Sequence, residues 1–202
     1  MTLDKFRPLA DRALGPFVSA AKVAGLSPNG VSVIAFLLAL GAGGVYAVAA
    51  REPLLYLGGA VLVFLNGWLD LVDGALAREL NVASSGGDLL DHVLDRYADI
   101  GIIVGLAAGV SQWELGIAAV TGVLMTSYLG TQAQAVGLDR VYGGLLGRAD
   151  RLALVGVVTG VAAFVPTALA GLTLVGWLLV VFAVVGHVTA AQRFYHAMRA
   201  LD

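Results

Sequence analysis

Apolar residues fill six long stretches of this chain, and each stretch is long enough to form a membrane-spanning helix. A helix needs about 20 apolar residues to cross a hydrocarbon core of about 30 Å. The six stretches predict an all-α integral membrane protein, in which residues 1–202 form one domain and residues 30–202 form its six-helix bundle. Their approximate bounds are 31–50, 53–76, 89–111, 114–137, 151–171 and 172–197.

The segment before the first stretch has a different pattern, with apolar residues at steps of three and four and charged residues between them. This pattern is typical of an amphipathic helix that lies in the headgroup plane of a membrane. An ordinary cytosolic helix is the alternative. The sequence "LSPNG" ends the periodic pattern, so residues 1–29 are predicted to form an interfacial helix and a connecting loop.

Composition supports the membrane assignment and narrows the possible chemistry. Hydrophobic residues make up 59% of the chain and charged residues 13%, and the mean hydropathy is +0.88. A soluble domain carries about 25% charged residues. The chain has no cysteine, which excludes disulfides and thiolate metal sites. A net charge of −2 without a basic cluster argues against nucleic acid as a partner.

The basic residues are distributed unevenly between the two sides of the predicted bundle. Nine of the twelve Lys and Arg residues fall in segments on one side, and only Arg51 falls on the other. Cytoplasmic segments of membrane proteins carry the excess of basic residues. Both termini, and the acidic segment described next, are therefore predicted to face the cytoplasm of a multi-pass cell-membrane protein.

Two pairs of aspartates flank the connection between the second and third stretches. Asp70 and Asp73 are three residues apart, and Asp91 and Asp95 are four apart, so each pair projects from one helix face. Residues 81–85, with Gly86 and Gly87, are predicted to form a loop that brings the two helices together antiparallel. The four carboxylates would then converge.

Such a cluster requires compensating positive charge. An ionised carboxylate at the centre of a membrane helix costs about 2.5–3.5 kcal/mol on insertion scales. Only Arg78 and Arg96 are close in the sequence, so arginine alone is not expected to neutralise the cluster. An all-oxygen site suits Mg²⁺, Mn²⁺ or Ca²⁺. The pattern therefore predicts a site for divalent cations.

Glycines recur on one face of the third stretch. Gly101, Gly105 and Gly109 form two overlapping GxxxG steps, which allow helices to approach closely. The close partner is either another helix of the same chain or a second copy of the chain. We expect a homodimer, and the sequence leaves the place of this glycine face open.

The acidic segment contains a longer pattern of fixed residues. It reads Asp70-x-x-Asp73-Gly74-x-x-Ala77-Arg78, eight residues, then Gly87-x-x-x-Asp91-x-x-x-Asp95. This pattern resembles the signature of the CDP-alcohol phosphatidyltransferase family, with all eight defining positions present. "LSPNGVS" is similar to the segment that precedes the first spanning helix in that family. The resemblance implies six spanning helices after an interfacial helix. It also implies transfer of a phosphatidyl-type group from a CDP-linked lipid to an alcohol, with release of CMP.

The resemblance also implies roles for individual residues. Two divalent cations, Mg²⁺ or Mn²⁺, would be held by the aspartates, with Asp95 either a further ligand or the general base. The donor would be CDP-diacylglycerol or CDP-archaeol. The implied metal ligands are Asp70, Asp73, Asp91 and Asp95, and the implied donor-binding residues are Asp73, Gly74, Ala77, Arg78 and Gly87.

The predicted acceptor-binding residues lie mainly after the fourth stretch. Arg148, Arg151 and Arg193 resemble arginines of the phosphatidylinositol-phosphate and archaetidylinositol-phosphate synthase branch, and three such arginines would bind a phosphate. Gly130 and Gln132 stand where that branch has Lys and Arg. The acceptor therefore stays open among inositol phosphate, glycerol phosphate and an unphosphorylated alcohol contacted by Gln132.

A divalent-cation transporter is the alternative function, since it also requires carboxylates within the membrane. Transporters commonly place such groups near the bilayer midplane, on broken helices in paired repeats. Here the two aspartate pairs lie near helix ends, and the pattern has no second copy in the sequence. A pocket open to a cytosolic nucleotide fits this arrangement better.

Overall fold

A computed structural model describes residues 7–139, 145–165 and 167–201, with side chains described from residue 13 onward. Within these ranges the chain is almost entirely helical. A two-residue antiparallel pair, β1 (Ala168–Leu169) and β2 (Leu172–Thr173), precedes the last helix. The helices are α1 (Arg7–Val23), α2 (Pro28–Val48), α3 (Leu55–Glu79), α4 (Ser85–Gly109), α5 (Trp113–Ala135), α6 (Arg148–Ala162) and α7 (Leu174–Leu201).

Serine caps begin the two helices that lead into the acidic region. The Ser27 hydroxyl accepts a hydrogen bond from the Gly30 N–H at 3.1 Å, and the Ser84 hydroxyl accepts one from the Gly87 N–H at 3.1 Å. Each satisfies an N–H that has no partner within its helix. The prediction that Gly86 and Gly87 belong to the loop is wrong, because they form the first turn of α4.

Helix α2 packs between α3 and α4, and α5 packs against α7. The main core contains the fully buried Tyr46, Leu106, Leu179 and Phe182. A second, smaller core lies at the acidic end of α3, where Leu14, Val18 and Ala21 of α1 pack with Val31, Val72 and Leu76. Helix α1 thus covers the segment of α3 that carries the first aspartate pair.

The glycine face of α4 packs within the chain. A Cβ on Gly105 would overlap the backbone of Gly43 on α2. A Cβ on Gly109 would overlap the carbonyl oxygen of Tyr46, which is also on α2. A Cβ on Gly101 would lie 2.9 Å from the Leu40 side chain. The close partner of this face is therefore α2, which is the first of the two alternatives that the sequence left open.

Large apolar side chains also cover the outside of the bundle. Leu37, Phe64, Ile117, Val157 and Val184 lie on five different helices, and each is at least 58% exposed. Contiguous apolar surface of this kind is rare on soluble monomers and suits contact with lipid. This distribution agrees with a membrane protein.

The described helices only partly match the six predicted spans. By length and composition, α2, α3 and α7 are long and apolar enough to cross a membrane. Helix α6 ends at Ala162, so the predicted end of the fifth stretch near residue 171 is wrong. The chain beyond Ala162 turns into the short β1–β2 pair, in which Ala170 and Gly171 have positive φ angles of 50° and 81°. Positive φ angles do not occur in a regular α-helix, so the helix cannot extend through residue 171.

Candidate active site

Three carboxylates meet where α3 and α4 face each other. Asp70 on α3 and Asp91 and Asp95 on α4 each offer an oxygen, and these oxygens lie within 4.8 Å of one another. The four-residue spacing of the α4 pair places both carboxylates on one face. All three residues are partly buried. The structure therefore brings together three of the four predicted metal ligands.

The chemistry of this trio fits a hard divalent cation. Carboxylate oxygens are the ligands preferred by Mg²⁺ and Mn²⁺. Like charges this close repel one another in a partly buried site, so a bound cation would stabilise the ionised group. Asp70, Asp91 and Asp95 are the residues that could hold it.

Asp73 has a different partner. Its side chain is buried, and its Oδ2 accepts a hydrogen bond of 2.6 Å from the Ser32 hydroxyl on α2. The Ser32 hydroxyl also lies 3.1 Å from the Pro28 carbonyl oxygen. Among the described residues, Asp73 is outside the group whose oxygens lie within 4.8 Å. Its predicted role in binding metal therefore stays a prediction.

An arginine from α6 lies against the trio. Arg148 Nη1 is 2.7 Å from Asp70 Oδ2, and Arg148 Nη2 is 2.6 Å from Asp95 Oδ1. In the sequence only Arg78 and Arg96 are close to the aspartates, so the ion pairs of Arg148 with Asp70 and Asp95 were not predicted. Arg148 is distant in sequence and reaches the aspartates because α6 packs on α3.

The other two predicted acceptor arginines lie deeper. Arg151 Nη2 donates to Asp99 Oδ2 at 2.8 Å, and Arg193 Nη1 donates to the Thr126 carbonyl at 2.6 Å. Thr126 and Arg151 also line one small cavity between α5, α6 and α7. Thr126 thus contacts Arg193 directly and shares a small cavity with Arg151, whereas Arg148 lies at the carboxylates.

The predicted donor-binding residues lie at the ends of α3 and α4 near the trio. Gly74 and Ala77 are partly buried on α3, and the following Arg78 is exposed. A Cβ on Gly74 would lie 3.4 Å from Arg78 Nη1, and one on Gly87 would lie 3.4 Å from Asn29 Oδ1. A side chain at either position would therefore contact a polar group of a neighbouring residue.

Gln132, the remaining predicted acceptor residue, is exposed near the end of α5. Residues 140–144, between α5 and α6, lie outside the described part of the chain.

Comparison with known proteins agrees with this geometry. Residues 25–189 match the family model described as CDP-alcohol phosphatidyltransferase. The chain belongs to this family. As a CDP-alcohol phosphatidyltransferase, it carries the complete signature between Asp70 and Asp95, and the structure places that signature on α3 and α4.

Similar proteins include two archaeal enzymes that match this CDP-alcohol phosphatidyltransferase over nearly their whole length. The archaetidylinositol phosphate synthase of Methanothermobacter thermautotrophicus is 30% identical, over 98% of this chain and 95% of that protein. The archaetidylinositol phosphate synthase of Pyrococcus horikoshii is 27% identical, over 99% of this chain and 98% of that protein.

Solved structures of the phosphatidylinositol phosphate synthase of Mycobacterium tuberculosis share the fold. One, with CDP-DAG bound, has a TM-score of 0.76 at 25% identity and covers 92% of this chain and 94% of that chain. Another, in complex with manganese and citrate, has a TM-score of 0.77 at 25% identity, covering 92% of this chain and 88% of that chain.

The position of Arg148 leads to a prediction about cation affinity. Two unit charges about 4 Å apart interact by about 4 kcal/mol at an effective dielectric constant of about 20. Arg148 occupies oxygens of Asp70 and Asp95 and repels an incoming cation. Arg148→Gln should therefore tighten Mn²⁺ binding at least about tenfold, which corresponds to about 1.4 kcal/mol. Mn²⁺ titration followed by electron paramagnetic resonance, without substrates, measures this.

Arg151→Gln is the matched control for this titration. It removes the same charge from the same helix, but its ion pair is with Asp99 rather than with the trio. Its effect on Mn²⁺ affinity should be clearly smaller than that of Arg148→Gln. Equal affinities for the two variants would contradict a specific contact between Arg148 and the cation site.

Proposed function

We propose that this chain transfers the phosphatidyl- or archaetidyl-type group of a CDP-linked lipid to inositol phosphate and releases CMP. The observation that carries this proposal is the convergence of Asp70, Asp91 and Asp95 within a complete family signature. The choice of inositol phosphate follows the two archaeal relatives, which match along nearly the whole chain.

The donor site lies at the facing ends of α3 and α4. The cytidine and pyrophosphate of CDP-diacylglycerol or CDP-archaeol bind beside Gly74, Ala77 and Gly87, where small side chains leave space, and Arg78 contacts a donor phosphate. Asp73, fixed by Ser32, borders this site. Placing the donor here leaves its lipid chains at the apolar outer surface of the bundle.

The carboxylates would hold two divalent cations, Mg²⁺ or Mn²⁺, chiefly through Asp70, Asp73 and Asp91, with Asp95 beside them as a further ligand or as the base. When bound, such cations neutralise the negative charge that develops on the transferred phosphoryl group and on CMP. The solved structure of a relative in complex with manganese and citrate supports this assignment.

Asp95 is the residue that accepts the proton. The acceptor hydroxyl oxygen forms a bond to the lipid-bearing phosphorus, the bond from that phosphorus to the CMP oxygen breaks, and the hydroxyl proton passes to an Asp95 carboxylate oxygen. Asp95 is suited to this role because it is the member of the trio whose carboxylate lies beside two arginine side chains. Its Oδ1 contacts Arg148, and its Oδ2 lies 3.5 Å from Arg96 Nη2.

The acceptor phosphate binds to Arg148, Arg151 and Arg193, with Gln132 near the opening. The hydrogen bond from Arg193 to Thr126, and the small cavity that Thr126 shares with Arg151, support a common binding region for these two arginines. A panel of acceptors tests the choice of inositol phosphate. Purified protein with Mn²⁺ and a CDP-lipid should release CMP fastest with inositol phosphate. A higher kcat/KM with glycerol phosphate or with unphosphorylated inositol would reassign the acceptor.

The membrane arrangement completes the proposal. We place α2 to α7 across the cell membrane as six spans, with α1 at the cytoplasmic interface and the active site and both termini on the cytoplasmic side. The excess of basic residues on that side supports this orientation. We also propose a homodimer. Because α4 uses its glycine face within the chain, the dimer contact is expected on other lipid-facing surfaces.

Each acceptor arginine should affect acceptor binding more than donor binding. A charge-assisted hydrogen bond contributes about 1.5–3 kcal/mol, so removing one should raise the acceptor KM roughly 10- to 150-fold. Arg148→Gln, Arg151→Gln and Arg193→Gln should each raise the KM for inositol phosphate in this range and change the donor KM far less. Steady-state CMP release measures both constants.

Arg199→Gln is the control variant for Arg193→Gln. Arg199 lies in the last turn of α7, exposed and stacked on the Tyr195 ring at 5.8 Å. It should leave both constants unchanged. Equal increases in donor and acceptor KM in the three test variants would contradict their assignment to the acceptor.

A further inference from the structure

Asp99 is a buried carboxylate that lies outside both the signature and the trio. It is one turn beyond Asp95 on α4 and only 5% exposed. Its oxygens lie 2.8 Å from Arg151 Nη2, 3.7 Å from Arg96 Nη2 and 4.0 Å from Arg148 Nε. The trio brings three carboxylates together. Asp99, in contrast, is a single carboxylate near three guanidinium groups.

Asp99 connects two helices that have other main packing partners. Helix α6 packs mainly on α3 and α7, whereas α4 packs mainly on α2 and α5. Arg148 and Arg151 therefore reach across from α6 to α4 through their long side chains, and Asp99 is the α4 group that contacts both. Arg148 is also held by Asp70 and Asp95, whereas Arg151 without Asp99 would have several rotamers available.

The contact with Asp99 leaves Arg151 able to bind a second anion. A guanidinium carries five N–H donors in a rigid plane, and the hydrogen bond to Asp99 uses Nη2. Arg151 and Thr126 also line the same small cavity. The Thr126 carbonyl oxygen accepts a hydrogen bond from Arg193. A fixed Arg151 plane thus sets the direction in which its other donors face.

We propose that Asp99 is a positioning residue for the acceptor site: it orients Arg151, through the hydrogen bond at Nη2, toward the acceptor phosphate. This inference rests on the proposed function. Asp99 does not touch the substrate and acts through Arg151. Removing one partner of a buried ion pair leaves the other charge unpaired and destabilises a protein, so the folding of each Asp99 variant is measured together with its binding.

Binding of inositol phosphate to the full-length protein in nanodiscs tests this proposal by calorimetry without a CDP-lipid. Asp99→Asn should raise the Kd for inositol phosphate at least about tenfold, as expected when a charge-assisted contact is lost. Mn²⁺ affinity should change far less, because Asp99 is not in the trio. Asp88→Asn removes the same charge from an exposed position on the same helix and should change the Kd by less than about twofold.

A double-mutant cycle separates positioning from a general structural effect. Once Arg151 is replaced by Gln, Asp99 has lost the side chain that it orients most closely. Asp99→Asn combined with Arg151→Gln should therefore bind inositol phosphate within about threefold of Arg151→Gln alone, since coupled residues do not add. Fully additive losses would overturn the proposal, as would an Asp99→Asn Kd equal to that of the wild type.

Two further results complete the test. If Asp99→Asn does not fold, Asp99→Glu keeps the charge but shifts the carboxylate, and an unchanged Kd in that variant would overturn the proposal. Wild-type protein that binds inositol phosphate without releasing CMP would refute the proposed reaction while leaving the role of Asp99 intact. Wild-type protein that does not bind inositol phosphate would refute both the assigned acceptor and the role of Asp99.

Discussion

Replacing Asp91 by Asn should give a folded protein that releases CMP from a CDP-lipid at least about 10³-fold more slowly than the wild type. Asp91 is one of three carboxylates whose oxygens lie within 4.8 Å of one another. A cation at such a site contributes several kcal/mol of charge stabilisation in the transition state, and each 1.36 kcal/mol is about tenfold in rate. Asp70→Asn should have a similar effect for the same reason.

Chelation provides the matching result on the wild type. EDTA should abolish CMP release, and added Mg²⁺ or Mn²⁺ should restore it. Asp88→Asn is the control, since Asp88 lies on the same helix with a side chain that is 76% exposed. It should retain nearly full activity. Full activity in Asp91→Asn, or activity that persists after complete chelation, would contradict a catalytic cation at the trio.

Replacing Asp95 by Asn should lower kcat by about 10²–10⁴-fold, the range typical of losing a general base. The carboxylate accepts the proton of the attacking hydroxyl, and an amide at the same position cannot. CDP-lipid binding should stay close to that of the wild type. Steady-state CMP release at saturating donor and acceptor measures kcat, and a separate binding measurement gives the donor Kd.

Mn²⁺ titration decides whether Asp95 is the base or chiefly a ligand. The structure places Asp95 in the trio and Asp73 on Ser32, so both aspartates require this measurement. As a dedicated base, Asp95→Asn should weaken Mn²⁺ binding much less than Asp91→Asn or Asp73→Asn does. A loss of affinity equal to that of Asp91→Asn would identify Asp95 as a ligand, and the proton would then leave through water.

The sequence predicted that four carboxylates converge, and three of them do so in the trio, because helix geometry fixes which residues share a face. Spacings of three and four residues placed each aspartate pair on one side of its helix, and a short connection required α3 and α4 to be antiparallel. Ser84 shows where the prediction of the loop before α4 was wrong. As a helix cap it begins α4 before Gly86, whereas glycine content alone had suggested a longer loop.

The sequence could not predict which side chains would pair across the bundle. Arg148 and Asp99 contact the site through packing between helices that are far apart in the chain, and nothing in their local sequence encodes it. The hydrogen bond from Ser32 to Asp73 is of the same kind, since the two residues lie on different helices. The apolar residues after Ala162 extended the predicted fifth stretch to about residue 171, but α6 ends at Ala162 and a turn with positive φ angles precedes α7.

CMP release from a CDP-lipid by the purified protein in liposomes is the most direct test of the proposed reaction. With Mn²⁺, CDP-diacylglycerol or CDP-archaeol, and inositol phosphate, CMP should appear in equal amount with a new inositol-phosphate lipid. Neither product should form when the acceptor or the cation is omitted, or when Asp91 is replaced by Asn. Accumulation of Mn²⁺ inside the liposomes without CMP release would contradict the transferase reaction and identify a cation transporter.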